Sequence, residues 1–420
     1  MKAPKRAALI AIVSAGLLVL SGCSSSGGES SGPITLNVWG FSSLYKPQVE
    51  QYEKLHPNIK IQQKIGDYDA AHQTLLTALS AGKGPDIGQI AIDYMAEFTA
   101  TPQAFTDLRT FGANDIKSDY LDWRWSGGVA KDGTVVGIPT DVGGMAVAYR
   151  TDLFQAAGLP TDPKAVSALW PTWNDYIATG KKYVAATGKK FIDSGKAIFR
   201  AASNQADLKY TDKDGKLVYA TNPAIKQSWQ YGVDAIGAGL SANVPTYSPQ
   251  WNAALADGGI STLIAPAWML LSIKQQAPAT AGKWNIASLP GAAGNDGGSF
   301  LVVPKHAAHP KEAYEFIKWL EAPEQQLSLF KETADFPAVP SLYTNPAVTS
   351  YKDSFFSDAP AGQIYVDSVK AYHGHPVGPK DRAIENQFEN GLGRVDQGQQ
   401  SGDASWQQTL SDAKREASNG

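Results

Sequence analysis

Aromatic and acidic side chains follow the predicted strands of this sequence at the points where the strands end. Trp39 and Phe41 follow a first strand, and Asp93 and Tyr94 follow another. Open α/β sheets place ligands at the carboxyl ends of their strands, so these four residues are candidates for a binding site. Aromatic rings stack on weakly apolar C–H faces, and carboxylates accept hydrogen bonds from hydroxyl groups. The combination fits an uncharged polyhydroxylated ligand, although Trp39 could instead pack in a core and Asp93 could cap the next helix.

Motifs for catalysis and cofactor binding are missing from the sequence. It contains no phosphate-binding G-x-x-x-x-G-K-[ST] loop, no G-x-S-x-G nucleophile turn and no H-E-x-x-H zinc motif. His373 and His375 have a spacing that can ligate a metal, but no cysteine or carboxylate cluster accompanies them. We therefore expect a protein that is not an enzyme and that uses no metal and no cofactor.

The amino-terminal segment has the composition of an export signal. Lys2, Lys5 and Arg6 precede an apolar run over residues 7–20. That run is too short to span a bilayer comfortably, and basic residues before a short apolar stretch are typical of a signal peptide. No other segment approaches the roughly 20 apolar residues that a spanning helix needs.

The single cysteine, Cys23, directly follows this apolar run. Residues 20–23 (LSGC) resemble the lipobox of bacterial lipoproteins, which implies cleavage before Cys23 and lipidation of its sulfur. We expect residues 1–22 to be a lipoprotein signal peptide and residues 23–33 to be the lipidated cysteine with a flexible Ser/Gly spacer. The mature protein would then be held by acyl chains at the extracytoplasmic face of the bacterial cell membrane. The alternatives are an ordinary secretory signal and an uncleaved anchor.

Charge and length restrict the classes of partner. Removing the three basic leader residues from a total of 37 leaves 34 against 40 acidic residues, a formal charge of −6. A surface with this balance argues against nucleic acid as a partner. A body of about 390 residues is long for one hydrophobic core, so two lobes are expected.

Hydrophobic periodicity predicts strands and helices in alternation. Strand patterns cover 34–39, 59–61, 86–92, 145–149 and 299–303, and helix patterns cover 49–55, 69–81, 173–186, 222–238 and 310–320. This order predicts an α/β fold with a parallel sheet and helices on both faces. The polar stretch 383–417 is expected to be helical at its ends, and 260–273 to be buried core.

Several short segments together resemble the extracellular solute-binding lipoproteins of ABC importers, specifically the large sugar-binding group. The segments are LNVWG (36–40), YEKLHPNI (52–59), GPDI (84–87), GIPTD (137–141), YRTDLF (149–154), AGLP (157–160), PTW (171–173), GSF (298–300) and AYEFI (313–317). Each is common by itself. Their order and spacing over residues 34–340 identify the chain as a member of this family.

The resemblance implies two α/β lobes with the ligand in the cleft between them. Lobe 1 is expected to comprise 34–141 and 299–335, and lobe 2 to comprise 142–298 and 336–420. Crossovers between them are expected near 141–145, 289–298 and 334–340, where the sequence is rich in Gly or Pro. A few residues at such crossings can absorb the rotation that closes a cleft.

The resemblance also adds candidate ligand-binding residues. Asp141 lies at the first crossing, and Trp268 matches the tryptophan that forms a stacking floor in the family. Further candidates are Asp67, Tyr68, Gln250, Trp251, Ser299, Phe300 and Phe336. The expected partners are a carbohydrate ligand and the permease subunits of an ABC transporter, with a monomeric receptor as the family expectation.

Two other functions remain open at this point. Acidic and aromatic residues would also suit a cationic cargo such as a polyamine. A pair of carboxylates facing each other across a cleft could hydrolyse a glycoside, which would make the protein an anchored glycosidase.

Overall fold

The computed structural model describes residues 32–418. The predicted signal peptide, Cys23 and most of the spacer lie outside these residues. The strands are β1 (Ile34–Gly40), β2 (Ile59–Ile65), β3 (Ile87–Ala91), β4 (Gly137–Pro139), β5 (Asp141–Val142), β6 (Met145–Arg150), β7 (Thr262–Pro266), β8 (Trp284–Ser288), β9 (Ser299–Val302) and β10 (Phe336–Pro337).

Helices connect these strands and cover their faces. They are α1 (Lys46–Leu55), α2 (Tyr68–Ser80), α3 (Ile92–Thr99), α4 (Asp122–Gly127), α5 (Thr151–Ala156), α6 (Pro163–Ser167), α7 (Trp173–Thr187), α8 (Gly195–Asn204), α9 (Pro223–Gly237), α10 (Pro249–Asp257), α11 (Met269–Gln276), α12 (Pro310–Leu320), α13 (Pro323–Thr333), α14 (Pro346–Thr349), α15 (Ala361–Ala371), α16 (Asp381–Asp396) and α17 (Gly402–Ser418). In the described residues no helix is long and apolar enough to cross a membrane.

Local sequence accounts for the elements that the periodicity predicted. In β1 the buried residues Ile34, Leu36 and Val38 alternate with more exposed ones. Helix α7 begins with a capping box between Thr172 and Asp175, in which each side chain accepts from the other residue's backbone N–H. All ten predicted elements are therefore confirmed in type.

The first sheet has five strands in the order β2-β1-β3-β9-β4. The pairs β1–β2 and β1–β3 are parallel, as predicted. The sheet is mixed, because β9 runs antiparallel to both β3 and β4. Strand β9 enters this sheet on the return of the chain from the second sheet, and the direction of that return is not visible in a local pattern.

The second sheet is smaller and wholly antiparallel. Its order is β7-β6-β8, with β6 paired antiparallel to both neighbours. Every residue of β6 and β7 is buried, so both faces of this sheet are covered. The stretch 260–273 forms β7 and the start of α11 and is largely buried, as predicted.

Three crossing segments connect the two sheets. The short strands β5 and β10 pair antiparallel, and the backbone N–H of Asp296 donates to the carbonyl of Gly143 at 2.8 Å. A Cβ atom at Gly143 would lie 1.9 Å from the carbonyl oxygen of Asp296, so only glycine allows the two backbones to approach this closely. The fold therefore has two lobes. We call the one built on the five-stranded sheet the first lobe and the other the second lobe; the exact lobe boundaries stay a prediction.

The carboxy-terminal region is more ordered than its polar composition predicted. Helices α16 and α17 fill most of the stretch 383–417, where helix was expected only at the ends. Ile384, Phe388 and Leu392 form an apolar stripe on α16 that packs with Trp229 of α9 and Trp406 of α17. Apolar residues at i, i+4 and i+8 bury one helix face, which anchors both helices on the second lobe.

Buried carboxyl groups near the crossings predict an unusual pH dependence of stability. Burial, with Asp141 nearby, raises the pKa of Asp335 to about 7. The folded protein therefore holds a proton on Asp335 that the unfolded chain releases. The contribution of this proton to the free energy of unfolding is lost as the pH rises from about 4 through 7. In the Asp335→Asn variant, the free energy of unfolding should decrease less steeply between pH 5 and 7. The slope should be smaller than that of the wild type by up to about 1.4 kcal/mol per pH unit. Urea denaturation at each pH measures it.

The exposed Asp119 offers the matched control for this prediction. The Asp119→Asn variant should leave the pH profile of the wild type unchanged. Parallel profiles for the wild type and Asp335→Asn would contradict the prediction.

Candidate functional site

The two lobes enclose a cavity of about 860 Å³. The first lobe contributes residues from α3 and α4. The second lobe contributes Asn204 at the end of α8, Lys209 and Tyr210 after it, the loop 372–379 and the start of α16. The crossing segment contributes Asn295 and Gly297. Small-molecule sites are commonly clefts of about 300–1,000 Å³, often between domains, so this cavity is the candidate site.

One wall of the cavity is aromatic and uncharged. The rings of Trp123 and Tyr372 meet edge to face with their centroids 5.0 Å apart. The hydroxyl of Tyr372 is hydrogen-bonded to Nδ1 of His375 at 3.1 Å. Burial lowers the pKa of His375 to about 3, so its imidazole is neutral at physiological pH.

Several polar atoms of the cavity-lining residues are buried without a hydrogen bond. The indole N–H of Trp123, the hydroxyl of Tyr210 and Oδ2 of Asp381 have no hydrogen-bond partner within residues 32–418. The same is true of Nε of Arg382. An unsatisfied buried polar group costs about 1–3 kcal/mol, so a ligand that satisfies these groups would gain affinity. The set includes both donors and acceptors, which is what hydroxyl groups require.

Lys209 lies at the second-lobe side of the cavity and is fully engaged there. Its Nζ donates to Oε1 of Glu385 at 2.5 Å and to Oδ1 of Asn204 at 2.6 Å. Burial alone would raise the pKa of Glu385, but Lys209 and the nearby guanidinium groups of Arg200 and Arg382 lower it to about 2. The pair is therefore ionised and internally compensated.

Ion pairs also connect the two lobes at the cavity. Oδ2 of Asp93, in the first lobe, lies 2.9 Å from Nη2 of Arg200 and 3.6 Å from Nη1 of Arg382, both in the second lobe. Arg200 also contacts Oδ1 of Asp296 at 2.7 Å. The structure is therefore closed, with Asp93 held between two arginines.

Comparison with known proteins decides the family. Residues 40–327 match the family model described as bacterial extracellular solute-binding protein. The chain belongs to this family.

Relatives of this solute-binding protein match over most of their lengths. An arabinooligosaccharide-binding protein of Bacillus subtilis (strain 168) is 29% identical over 331 residues, covering 73% of this chain and 74% of the relative. A lactose-binding protein of Rhizobium radiobacter is 28% identical over 391 residues, covering 86% of each. The crystal structure of a family 1 extracellular solute-binding protein superimposes with a TM-score of 0.82 at 35% identity, covering 92% of this chain and 100% of that chain.

Of the site residues predicted from the sequence, the structure brings Asp93 to the cavity wall. Tyr94 is buried beside it, and its hydroxyl donates to Asp69 at 2.5 Å. The hydroxyl of Tyr68 donates to Asp93 at 3.3 Å, and Phe41 packs edge to face on Tyr68 at 4.9 Å. These residues form one aromatic group behind Asp93 on the first lobe of the solute-binding protein.

The other candidates from the first sheet lie apart from the cavity. Trp39 is half-buried at the end of β1, with Nζ of Lys64 over its ring at 4.4 Å. Asp67 is exposed and directly precedes α2. Neither is among the residues that line the cavity.

Three candidates lie at the crossing segments, where they hold the backbone. The carboxylate of Asp141 accepts from the Ser299 backbone N–H at 3.0 Å and from the Thr140 hydroxyl at 2.5 Å. Burial raises the pKa of Asp141. The indole N–H of Trp268 donates to the carbonyl of Asp296 at 2.9 Å. In this closed structure these groups position the crossing segments beside the cavity.

The remaining aromatic candidates are core residues. Trp251, Phe300 and Phe336 are completely buried. The indole of Trp251 donates to Asp193, and Phe300 lies under the guanidinium of Arg124. The structure does not bring these three rings to the cavity, and Gln250, next to Trp251, is exposed.

Most residues of the cavity wall were not predicted from the sequence. Trp123, Tyr372, Arg382 and Glu385 were not candidates, and His375 was considered only as a metal ligand. In the part of the chain that the structure describes, no group of three metal-binding side chains is present. The available signal for this wall was the close spacing of Tyr372, His373 and His375 in the loop that follows residue 371.

Proposed function

We propose that this solute-binding protein captures an uncharged oligosaccharide between its lobes and delivers it to the membrane permease of an ABC importer. The family is one of extracellular solute receptors. Two of the relatives are named for arabinooligosaccharide and lactose binding, which supports a sugar ligand. The cavity volume of about 860 Å³ accommodates a molecule of that size.

The observation that carries this proposal is the combination of aromatic rings and unsatisfied polar atoms in one cavity. The face of Trp123 offers a surface for sugar C–H groups, and its indole N–H is an unused donor. Tyr210 offers a hydroxyl and Asp381 a carboxylate oxygen, each without a partner within the described residues. Sugar hydroxyls both donate and accept, so they match the donor and acceptor types of these three side chains.

Closure of the lobes is the proposed mechanism. A ligand that contacts Asp93 in the first lobe and Glu385 in the second interacts with both only when the lobes are closed. Binding therefore shifts the population toward the closed form, which would dock on the permease. We further propose that the receptor is monomeric, that Cys23 carries the lipid anchor, and that no bond of the ligand is broken.

The charges of the cavity favour a sugar over a polyamine. Arg200, Arg382 and Lys209 are already present as the cationic partners of the cleft carboxylates. A polyamine would have to displace guanidinium groups that bear the same charge.

Isothermal titration calorimetry on the mature protein tests the proposal. We expect lactose or an arabino-oligosaccharide to bind with a dissociation constant of about 10 μM or lower, and spermidine to give no binding heat. Binding of spermidine without binding of any neutral oligosaccharide would reject the proposal. Turnover of chromogenic glycosides, measured in parallel, would instead favour the glycosidase.

A further inference from the structure

Arg200 occupies a position that three carboxylates surround. Besides Asp93 and Asp296, Oε1 of Glu389 lies 3.3 Å from its Nη1. The three carboxylates come from α3 in the first lobe, from the crossing segment and from α16 in the second lobe. One guanidinium thus joins all three parts of the cleft, and its five N–H donors allow such simultaneous contacts.

The surroundings of Arg200 are shielded from solvent. The side chain of Arg200 is 25% exposed, those of Asp93 and Asp296 are 14% exposed, and that of Glu389 is 23% exposed. Burial alone would lower the pKa of Arg200, but the carboxylates of Asp296 and Asp93 hold it well above its usual value. Charges at this depth are weakly screened, so removal of the guanidinium would leave strong mutual repulsion.

Ion pairs join Arg200 and its neighbours into one charged cluster. Arg200, Arg382 and Lys209 contact the carboxylates of Asp69, Asp93, Asp296, Glu385 and Glu389, so five acids meet three bases. Arg200 is not itself among the residues that line the cavity, but it pairs with Asp93, which is. Without Arg200 the same five carboxylates would meet two bases. Asp93, Asp296 and Glu389 would then surround a space that had held a planar cation.

We propose that Arg200 is a specificity-determining residue, an internal cation that makes the cleft reject cationic ligands and accept uncharged ones. The guanidinium occupies the position where an organic ammonium or guanidinium group would otherwise bind. This inference rests on one part of the proposed function, namely that a ligand binds in the cleft. It does not depend on the identity of the sugar.

Substitution of Arg200 tests the proposal without any sugar. In the Arg200→Ala variant, guanidinium and spermidine at millimolar concentration should raise the melting temperature, relative to NaCl of equal ionic strength. Spermidine should bind this variant at least about 10-fold more tightly than the wild type, as measured by calorimetry. The wild type should show neither effect.

Arg394 provides a matched control. Its side chain is 19% exposed and lies 3.7 Å from Asp412, which Arg415 also contacts at 3.1 Å. The Arg394→Ala variant therefore leaves no group of three carboxylates, and the same cations should not stabilise it. The Asp93→Asn/Arg200→Ala double variant should lose most of the spermidine affinity, because one of the three carboxylates is neutral.

Variants that fold poorly remain informative. If Arg200→Ala and Arg200→Gln fold only when guanidinium or spermidine is present, the proposal is supported. If neither cation restores folding, or if the folded variants bind spermidine no better than the wild type, the proposal is wrong. Tight spermidine binding by the wild type would overturn it directly, whereas failure of sugars to bind would affect only the proposed function.

Discussion

Replacing Trp123 by alanine is expected to weaken oligosaccharide binding about 100-fold. The indole lines the cavity, its ring meets Tyr372 edge to face, and its N–H has no partner within residues 32–418. Loss of an aromatic stacking surface and of one hydrogen bond to ligand each remove about 1 kcal/mol, and lost apolar burial adds a similar amount. A total of about 2.7 kcal/mol corresponds to a factor of about 100 in the dissociation constant. Calorimetry with the sugar that binds the wild type measures it.

Three other tryptophans make this test discriminating. Trp319 lies on α12, where it packs against Tyr52 away from the cavity, so Trp319→Ala controls for general loss of packing. Trp39→Ala and Trp268→Ala address the two candidates of the sequence analysis that the cavity does not include. If Trp39→Ala and Trp268→Ala lose much of the sugar affinity while Trp123→Ala binds like the wild type, the binding site lies at the end of β1 and the start of α11.

Trp123 and Trp125 show why the sequence could not identify the cavity wall. They are two residues apart on α4, yet Trp125 is 3% exposed and packs in the core, whereas Trp123 lines the cavity. Composition treats the two alike. Residues two apart on a helix point to different sides, so one indole packs in the core, and the second lobe brings Tyr372 to the other.

Arg200 shows the same limit for charged residues. It lies on α8 between Phe199 and Ala201, both of which are completely buried, so its surroundings in sequence are those of a core helix. Its partners Asp93 and Glu389 are more than 100 residues away in either direction. Local patterns predicted the strands and helices, and the family resemblance implied the two lobes. The pairing of charges across the cleft depends on long-range packing, which neither the local patterns nor the family resemblance describes.

The Lys209→Met variant is expected to lose about 3–5 kcal/mol of unfolding free energy. Lys209 and Glu385 are 7% and 6% exposed, and their contact at 2.5 Å compensates both charges. Removal of Lys209 leaves the buried carboxylate of Glu385 with the longer contact to Nη1 of Arg382 at 3.6 Å, and a poorly compensated buried charge is costly. The pKa of Glu385 should then rise, because Lys209 is the largest of the influences that lower it. Urea denaturation at pH 7 measures the loss, and carbon-13 chemical shifts of the Glu385 carboxyl measure the titration.

A second substitution separates the lost charge compensation from lost packing. Adding Glu385→Gln to Lys209→Met removes the poorly compensated charge, so the double variant should be more stable than Lys209→Met alone. Lys46 and Glu50 form the exposed counterpart, 3.6 Å apart with 85% and 53% exposure, and Lys46→Met should cost less than about 0.5 kcal/mol. Equal losses for Lys209→Met and the double variant would mean that compensation of the Glu385 charge contributes little to the stability at this wall of the cavity.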